Sequence, residues 1–170
     1  MEIKKAYDFA IIIPVYNNEG TIDLLMEKIN EKVIKENKNL LGKVVFCDDG
    51  STDKSLELIC DMLQNEKKFE RVVVLSYTQN QGRGRALKTG IDYARGEIIV
   101  TTEVDLSWGE DIVFRLFKKL NSEPGIDFVI ASPHKKGGLL KNVSIKRALL
   151  TKFGNFLIKL FFDSGITMNT

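Results

Sequence analysis

Apolar and polar residues alternate along the chain in blocks of strand and helix length. The block FAIIIPVY (residues 9–16) is continuously apolar, as expected for a parallel strand that is covered on both faces. After the polar stretch NNEG, apolar residues return at helical spacing from Thr21, which is placed to cap the free N–H groups of a helix. The start of the chain therefore predicts a strand, a loop and a helix.

The same order of elements recurs along the rest of the chain. The apolar blocks KVVFC, RVVVLSY, EIIVTT and DFVIAS predict further strands, each followed by a polar loop and a segment of helical spacing. The last of these helices is predicted from about Val143 to Phe162. Alternating strands and helices favour a mostly parallel twisted sheet with helices on both faces, because right-handed crossovers place them there. The predicted fold class is α/β and Rossmann-like.

Length and composition narrow the possible classes of protein. The chain has 170 residues, of which 44% are apolar and 28% charged, so one compact domain is expected and disorder is not. No apolar run approaches the ~20 residues that cross a bilayer. The N-terminus has no features of a secretory signal, so a cytoplasmic location is expected. Cys47 and Cys60 have no zinc or CxxC spacing and are interpreted as small buried hydrophobic residues.

The net charge of +2 conceals a basic segment near the C-terminal end. Residues 134–163 contain seven Lys or Arg and one acid, so the rest of the chain is net negative. A local excess predicts an anionic partner at this end, whereas a nucleic-acid partner would suit a chain-wide excess. No nucleic-acid partner is therefore expected.

The polar loops follow the predicted strands at their carboxyl ends. In open α/β sheets, ligands bind in the crevice outside these ends. The sequence therefore predicts a ligand site at this edge, formed by Asn17 and Glu19, Asp48 and Asp49, Asn80 and Gly82, Glu103 and Asp105, and residues 132–136.

Glu103 and Asp105 are the candidate metal ligands. Side chains one residue apart on a strand point to opposite faces, so both can bind one ion only if the chain turns there. Hard oxygen ligands suit Mg²⁺ or Mn²⁺, and Mg²⁺ is usually held by one or two carboxylates plus substrate phosphates, which implies a diphosphate ligand. The alternative is that one of the two acids caps the helix beginning near Gly109.

Two other loops have both structural and ligand-binding interpretations. In DDGSTD, Asp49 and Gly50 suit a turn before a helix cap, whereas Asp48 is available to accept hydrogen bonds from a nucleobase or ribose. In NQGRGRALKTG, Arg83 and Arg85 lie near a helix N-terminus, an arrangement that suits an anion. Glycine spacing of this kind is weak evidence by itself.

Taken in order, four of these segments resemble the family-two glycosyltransferases with the GT-A fold, most closely the dolichyl- or polyprenyl-phosphate branch. IIIPVYNNEGTI is similar to that family's first strand and loop, and VVFCDDGSTDKS to its second. NQGRGRALKTG is similar to its NxGxGxAxxxG segment, and EIIVTTEVDLS to the strand that leads into its DxD metal site. The resemblance covers almost the whole chain. It implies an inverting transfer of a sugar from a nucleoside diphosphate, with Mg²⁺ or Mn²⁺ on the diphosphate.

The resemblance also implies roles for individual residues. Asp105 would be the catalytic metal-holding residue, with Glu103 beside it. The phosphates or the acceptor would meet Lys135, Lys136 and Arg147. The implied nucleotide-binding residues are Pro14, Tyr16, Asn18, Glu19, Asp48, Asn80, Arg83 and Glu103.

Several positions depart from the family's pattern. Asn18 stands where Glu is usual, with Glu19 one place later, and Glu103 replaces the first Asp of DxD. Pro133 stands where an Arg would bind the donor phosphates, a charge that Lys135 or Lys136 would supply. The final residues ITMNT resemble the start of a family segment that leads into TSGFR. A single domain over residues 1–170, truncated at its C-terminus, is therefore expected.

The acceptor and its location follow from two further features. No general base stands out, which suits a lipid phosphate acceptor, because a phosphate monoester with a second pKa near ~6 is ionised at neutral pH. In the basic helix, a stripe that includes Leu149, Phe153 and Phe156 suits packing on the sheet, whereas Leu150 and Phe161 lie off that stripe. With the neighbouring lysines, these two would suit an anionic membrane surface.

Three other functions compete with a glycosyltransferase. The strongest is a glycosyltransferase-like domain that binds nucleotide, or serves as a scaffold, without turnover. A dinucleotide-binding oxidoreductase would use Gly82, Gly84 and Asp105, but Leu87 stands where its third Gly belongs. A receiver-like signalling module would hold Mg²⁺ on Asp48 and Asp49 and would leave EVDLSW unexplained.

Overall fold

The computed structural model describes residues 7–29, 31, 42–65, 71–94, 96–105, 111–132, 149–151, 153–154 and 156. The chain divides into two compact units, Met1–Val129 and Ile130–Thr170. The first unit holds the sheet and the helices that surround it. The expectation of one domain over residues 1–170 stays a prediction.

The sheet has four strands, all parallel, in the order β3-β2-β1-β4. Their bounds are β1 (Tyr7–Val15), β2 (Gly42–Asp48), β3 (Val72–Ser76) and β4 (Gly96–Thr101). Strand β1 is central, with Val15 opposite Asp48 on β2 and Ile12 opposite Thr101 on β4. The predicted α/β class with a parallel sheet is confirmed.

Helices follow the strands in chain order: α1 (Glu19–Lys28), α2 (Ser55–Asn65), α3 (Arg83–Tyr93) and α4 (Ile112–Ser122). Alternate residues of β1 enter two separate cores. Phe9, Ile11 and Ile13 pack in a cluster with residues of α1, α2 and α4. Ala10 and Ile12 pack in another with Ala86 of α3. Both faces of β1 are therefore covered, which explains its continuous apolar run.

The interpretation of Cys47 as a buried hydrophobic residue is confirmed. It lies fully buried in the core beneath α3, and burial raises the pKa of its thiol to about 11. Cys60 on α2 is partly buried. Both thiols are free.

Two local predictions are wrong. Helix α1 begins at Glu19 with Asn18 as N-cap, so Thr21 lies inside the first turn and its hydroxyl donates to the Asn18 carbonyl oxygen at 3.0 Å. The block DFVIAS is not a strand: residues 126–132 have no regular structure, and Phe128 is 75% exposed. An apolar run without a pairing strand cannot satisfy its backbone groups as a sheet would.

Within the basic segment, residues 149–151, 153–154 and 156 are helical, as predicted. Leu149, Leu150, Phe153 and Phe156 are each at least 60% exposed. The interpretation of Leu149, Phe153 and Phe156 as a stripe that packs on the sheet stays a prediction, because the sheet belongs to the other unit. Leu157 and Leu160, which continue the helical spacing of this stripe in the sequence, lie outside the described residues, as does Phe161. In the part of the chain that the structure describes, no helix is long and apolar enough to cross a membrane.

The close packing of α3 on the sheet makes Gly90 a sensitive position. A Cβ added there would lie 2.3 Å from Ile12 Cγ2 and 2.7 Å from Cys47 Sγ. We expect Gly90→Ala to lower the free energy of unfolding by about 1–3 kcal/mol, because overpacking forces the core to shift. Gly84→Ala on the same helix meets nothing within 4 Å and should raise it by up to ~1 kcal/mol. Urea denaturation of both variants checks this, and equal effects would contradict it.

Candidate active site

A cavity of ≈ 490 Å³ opens at the carboxyl ends of the four strands. This is a usual size for a small-molecule site. The loop after each strand contributes to its wall, so the sheet gathers segments that are distant in sequence. The lining residues are Pro14, Val15, Tyr16, Asn18, Asp49, Asn80, Gly82, Arg83, Glu103, Val104 and Asp105.

Most of the predicted site residues meet in this cavity. Asp48 and Glu19 do not line it, although Asp48 is the last residue of β2 and Glu19 the first residue of α1. Lys135, Lys136 and Arg147 lie outside the described residues, so their assignment to phosphate or acceptor stays a prediction. The seven predicted residues that line the cavity are Pro14, Tyr16, Asn18, Asn80, Arg83, Glu103 and Asp105.

The chain turns between the two candidate metal ligands. Thr102 still donates its N–H to the Ile12 carbonyl oxygen at 3.1 Å, which continues the pairing of β4 with β1. A turn then begins at Val104, whose side chain is buried, and Glu103 and Asp105 both line the cavity. The turn that metal binding by both acids requires is therefore present.

Neither acid has the helix-capping position that the alternative interpretation assigned to it. The N-cap residue of α4 is Asp111. Instead, Glu103 forms an ion pair with Arg83, whose Nη2 lies 2.8 Å from Glu103 Oε1. Among the described residues no group of three His, Cys, Asp or Glu side chains could hold a metal ion. The donor set present, two carboxylates, fits Mg²⁺ or Mn²⁺ when substrate phosphates supply further oxygen ligands.

The loops after β1 and β2 are joined by hydrogen bonds. Asn17 has a φ of 51°, a left-handed conformation that Asn tolerates better than most residues. Its N–H donates to Ser51 Oγ at 3.1 Å, and its Oδ1 accepts from the Thr52 N–H at 2.8 Å. The Asn18 N–H donates to Ser55 Oγ at 2.8 Å. These bonds hold two walls of the cavity against each other.

Glu19 takes part in the same connection. Its N–H donates to Asp53 Oδ2, and its Oε2 accepts from the Lys54 N–H, both at 3.0 Å. Partial burial would raise the pKa of Asp53, but hydrogen bonds from Ser55 and Glu19 outweigh it, so this pKa lies below its usual value. The carboxylate of Glu19 thus has a structural role, and its predicted contact with nucleotide stays a prediction.

Asp48 and Asp49 are both buried but have different surroundings. Asp48 Oδ2 accepts a long hydrogen bond from the Ser51 N–H at 3.3 Å, whereas Oδ1 has no partner among the described residues. Asp49 Oδ1 accepts from the Gln81 N–H at 2.8 Å. Burial and the Asp49 carboxylate raise the pKa of Tyr77 to about 12. Asp49 therefore holds the loop after β3, whereas Asp48 Oδ1 is buried without a hydrogen-bond partner among the described residues.

Gly50 allows this approach of the loops after β2 and β3. Its φ is +69°, and a Cβ there would lie 2.6 Å from the backbone carbon of Gln79 and 2.7 Å from the Asn80 nitrogen. Only glycine combines that conformation with so close a backbone contact.

Four residues line the cavity that were not predicted to bind nucleotide: Asp49, Gly82, Val15 and Val104. The first two are in loops that the sequence marked as polar or glycine-rich. Nothing in the sequence distinguishes Val15 or Val104 from core residues, because both are apolar: Val15 ends β1, and Val104 lies buried in the turn after β4.

Comparison with known proteins indicates the family of this chain. The model described as Glycosyl transferase family 2 matches residues 10–170. The chain is 31% identical over 134 residues to the prophage bactoprenol glucosyl transferase homolog of Escherichia coli K12, covering 78% of this chain and 42% of that protein. It is 29% identical over 159 residues to the putative glycosyltransferase CsbB of Bacillus subtilis, covering 92% of this chain and 45% of that protein. The chain thus spans less than half the length of these relatives.

A solved structure has a similar fold. The mannosyltransferase PcManGT from Pyrobaculum calidifontis, in complex with GDP-Man and Mn²⁺, aligns with a TM-score of 0.61 and 24% identity. The alignment covers 78% of this chain and 38% of that one. At this identity the likeness bears on the fold alone, and it confirms the predicted GT-A fold. Because the family model matches nearly the whole sequence, and the sheet places its motifs around one cavity, the chain belongs to glycosyl transferase family 2.

Proposed function

We propose that the chain binds a nucleoside-diphosphate sugar in the cavity and forms the donor site of an inverting glycosyltransferase. The observation that carries this proposal is the turn that brings Glu103 and Asp105 into one cavity with Arg83 and Asn80. Two carboxylates and a cation in one cavity suit a diphosphate with its counter-ion. The fold neighbour PcManGT was solved with GDP-Man and Mn²⁺, which agrees with this choice of ligand.

Glu103 and Asp105 would hold Mg²⁺ or Mn²⁺, with Asp105 as the principal ligand. When bound there, the ion would offset negative charge on the departing nucleoside diphosphate. Arg83 lies at the N-terminus of α3, where the helix dipole adds to its attraction for phosphate. The base and ribose would contact Pro14, Tyr16 and Asn18, with Asp48 as hydrogen-bond acceptor.

The proposed acceptor is a polyprenyl phosphate. Relatives from Escherichia coli and Shigella phage SfX, each 31% identical to the chain, are named for bactoprenol glucosyl transfer. An ionised phosphate monoester attacks without a general base, so the cavity needs no residue for that step. Lys135, Lys136 and Arg147 remain the proposed contacts for this phosphate.

Calorimetric titration with UDP, GDP, CDP and NAD, with and without Mn²⁺, tests the donor site. We expect at least one nucleoside diphosphate to bind, with affinity that depends on Mn²⁺, and NAD not to bind. Preference for NAD would favour an oxidoreductase and contradict the proposal. Metal-dependent binding without sugar transfer to a polyprenyl phosphate would favour the scaffold alternative.

The proposed location is the cytoplasmic face of a membrane, where the lipid acceptor would lie. Exposed apolar side chains of the described helical residues carry this proposal, because they alternate with basic positions in the sequence. An apolar surface flanked by lysines suits an anionic bilayer. The apolar residues are Leu149, Leu150, Phe153 and Phe156.

We expect the protein to co-sediment with vesicles that contain acidic lipids, and added salt to weaken this binding. Replacing Lys146, Lys152 and Lys159 together with Glu should weaken it at least about 100-fold, since each basic residue contributes ~1 kcal/mol near such a surface. Sedimentation with neutral and acidic vesicles alike, or with neither, would contradict membrane docking.

The matched control reverses three lysines of the first unit, Lys54, Lys88 and Lys118, all of them exposed. The net charge change is the same in both triple variants. A comparable loss in the control would show that binding follows total charge and not the basic helix.

A further inference from the structure

The ion pair between Arg83 and Glu103 joins two residues with different proposed ligands. Arg83 is the first residue of α3, and Glu103 follows β4. Nη2 and Oε1 are 2.8 Å apart, the distance of a charge-assisted hydrogen bond. Both side chains remain partly exposed, at 62% and 35%, so a ligand in the cavity can reach either.

We propose that Arg83 is a positioning residue that restrains Glu103 and makes uptake of the divalent cation depend on the diphosphate. This inference rests on the proposed function, because it assumes that Glu103 is a metal ligand. It assigns Arg83 two successive anionic partners: Glu103 first, and then a phosphate of the donor.

The charges of the groups explain why Arg83 would have this effect on cation binding. A guanidinium held against a carboxylate occupies one of its oxygens and repels a divalent cation that approaches the same group. A diphosphate would offer Arg83 a doubly charged partner at the N-terminus of α3, and Arg83 would then no longer compete with a cation for Glu103. Cation and diphosphate then favour each other's binding, and by linkage the effect is reciprocal.

The side chain at position 103 is longer than the one usual in the family. Glu103 stands where the family pattern has Asp, and its additional methylene extends the carboxylate further from the backbone. The departure from DxD thus accompanies the contact with Arg83. The contact couples the loop after β4 to the start of α3 across 20 residues of sequence.

The test measures binding of Mn²⁺ alone, by the electron paramagnetic resonance signal of the free ion. Arg83→Gln should bind Mn²⁺ about three- to ten-fold more tightly than the wild type, because a competing cation has been removed. Arg83→Lys, which keeps the charge, should stay within about two-fold of the wild type. With saturating UDP or GDP, the advantage of Arg83→Gln should disappear or reverse.

Lys88→Gln is the matched control, since it also removes one positive charge and one exposed ion pair, with Asp92, from α3. The same comparison in a Glu103→Gln background should show no gain from Arg83→Gln. The inference would be overturned if Arg83→Gln did not raise the affinity for Mn²⁺, or raised it only as much as Lys88→Gln. It would also be overturned if Arg83→Gln raised that affinity equally in the Glu103→Gln background.

The proposed function is judged separately, by whether the wild type binds a nucleoside diphosphate with Mn²⁺. Wild-type binding of that complex, together with unchanged Mn²⁺ affinity in Arg83→Gln, would reject the role of Arg83 and leave the donor site intact. Failure of the wild type to bind the complex would reject the donor site itself.

Discussion

Asp105→Asn is expected to weaken nucleoside diphosphate binding at least about 100-fold in Mn²⁺ and less than about three-fold in EDTA. The substitution keeps the shape of the side chain but removes the charge that binds a hard cation. Asp105 is exposed and lines the cavity in the turn that begins at Val104, so the change should leave the core unaltered. Titration calorimetry in the two buffers measures both affinities.

Two companion variants sharpen this result. Glu103→Asp, which restores the family's usual residue, should preserve or improve binding in Mn²⁺. Asp111→Asn removes an exposed acid at the N-cap of α4, away from the cavity lining, and should have little effect in either buffer. Equal losses in Mn²⁺ and EDTA for Asp105→Asn would exclude the metal role of Asp105.

The second large effect is expected at Asp48. Its Oδ1 is buried and has no partner among the described residues, so a base or ribose donor would supply the missing hydrogen bond. Asp48→Ala should lower nucleotide affinity by roughly 10- to 150-fold, the usual cost of losing a charged hydrogen-bond partner. Its free energy of unfolding should change little, because the remaining bond to Ser51 is long.

Asp49→Ala is the control for Asp48, since it removes the carboxylate of the next residue along the chain. It should lower the free energy of unfolding by about 1–3 kcal/mol, because the N–H of Gln81 loses its acceptor. Unchanged nucleotide affinity in Asp48→Ala would contradict the assignment. So would a loss of stability in Asp48→Ala as large as that in Asp49→Ala.

Strand β1 shows how far a local pattern can predict the fold. From Phe9 to Val15 this strand has no charged side chain, and such a run is stable only where both faces of the strand are covered. The parallel topology follows from the alternation of strands with helices, and it places every polar loop at one edge of the sheet. The edge that holds the cavity was therefore predictable from the sequence.

Two predictions from short stretches of sequence were wrong because contacts with distant residues determine the local structure. Thr21 has the side chain of an N-cap, yet α1 starts earlier, because the N–H groups of Asn18 and Glu19 find acceptors on Ser55 and Asp53. DFVIAS has the composition of a strand, but strand propensity needs a paired neighbour. Neither condition can be read from a window of a few residues.

The sequence by itself determined the class of fold, the family and the loops that form the site, because periodicity and motif order are local properties. Only the tertiary structure decided what each acid does. Glu19 bonds to a loop 35 residues away, Asp49 supports one 32 residues away, and Glu103 meets Arg83. These assignments depend on which backbone N–H groups and cations lie nearest in space, and folding sets those distances through packing across the whole sheet.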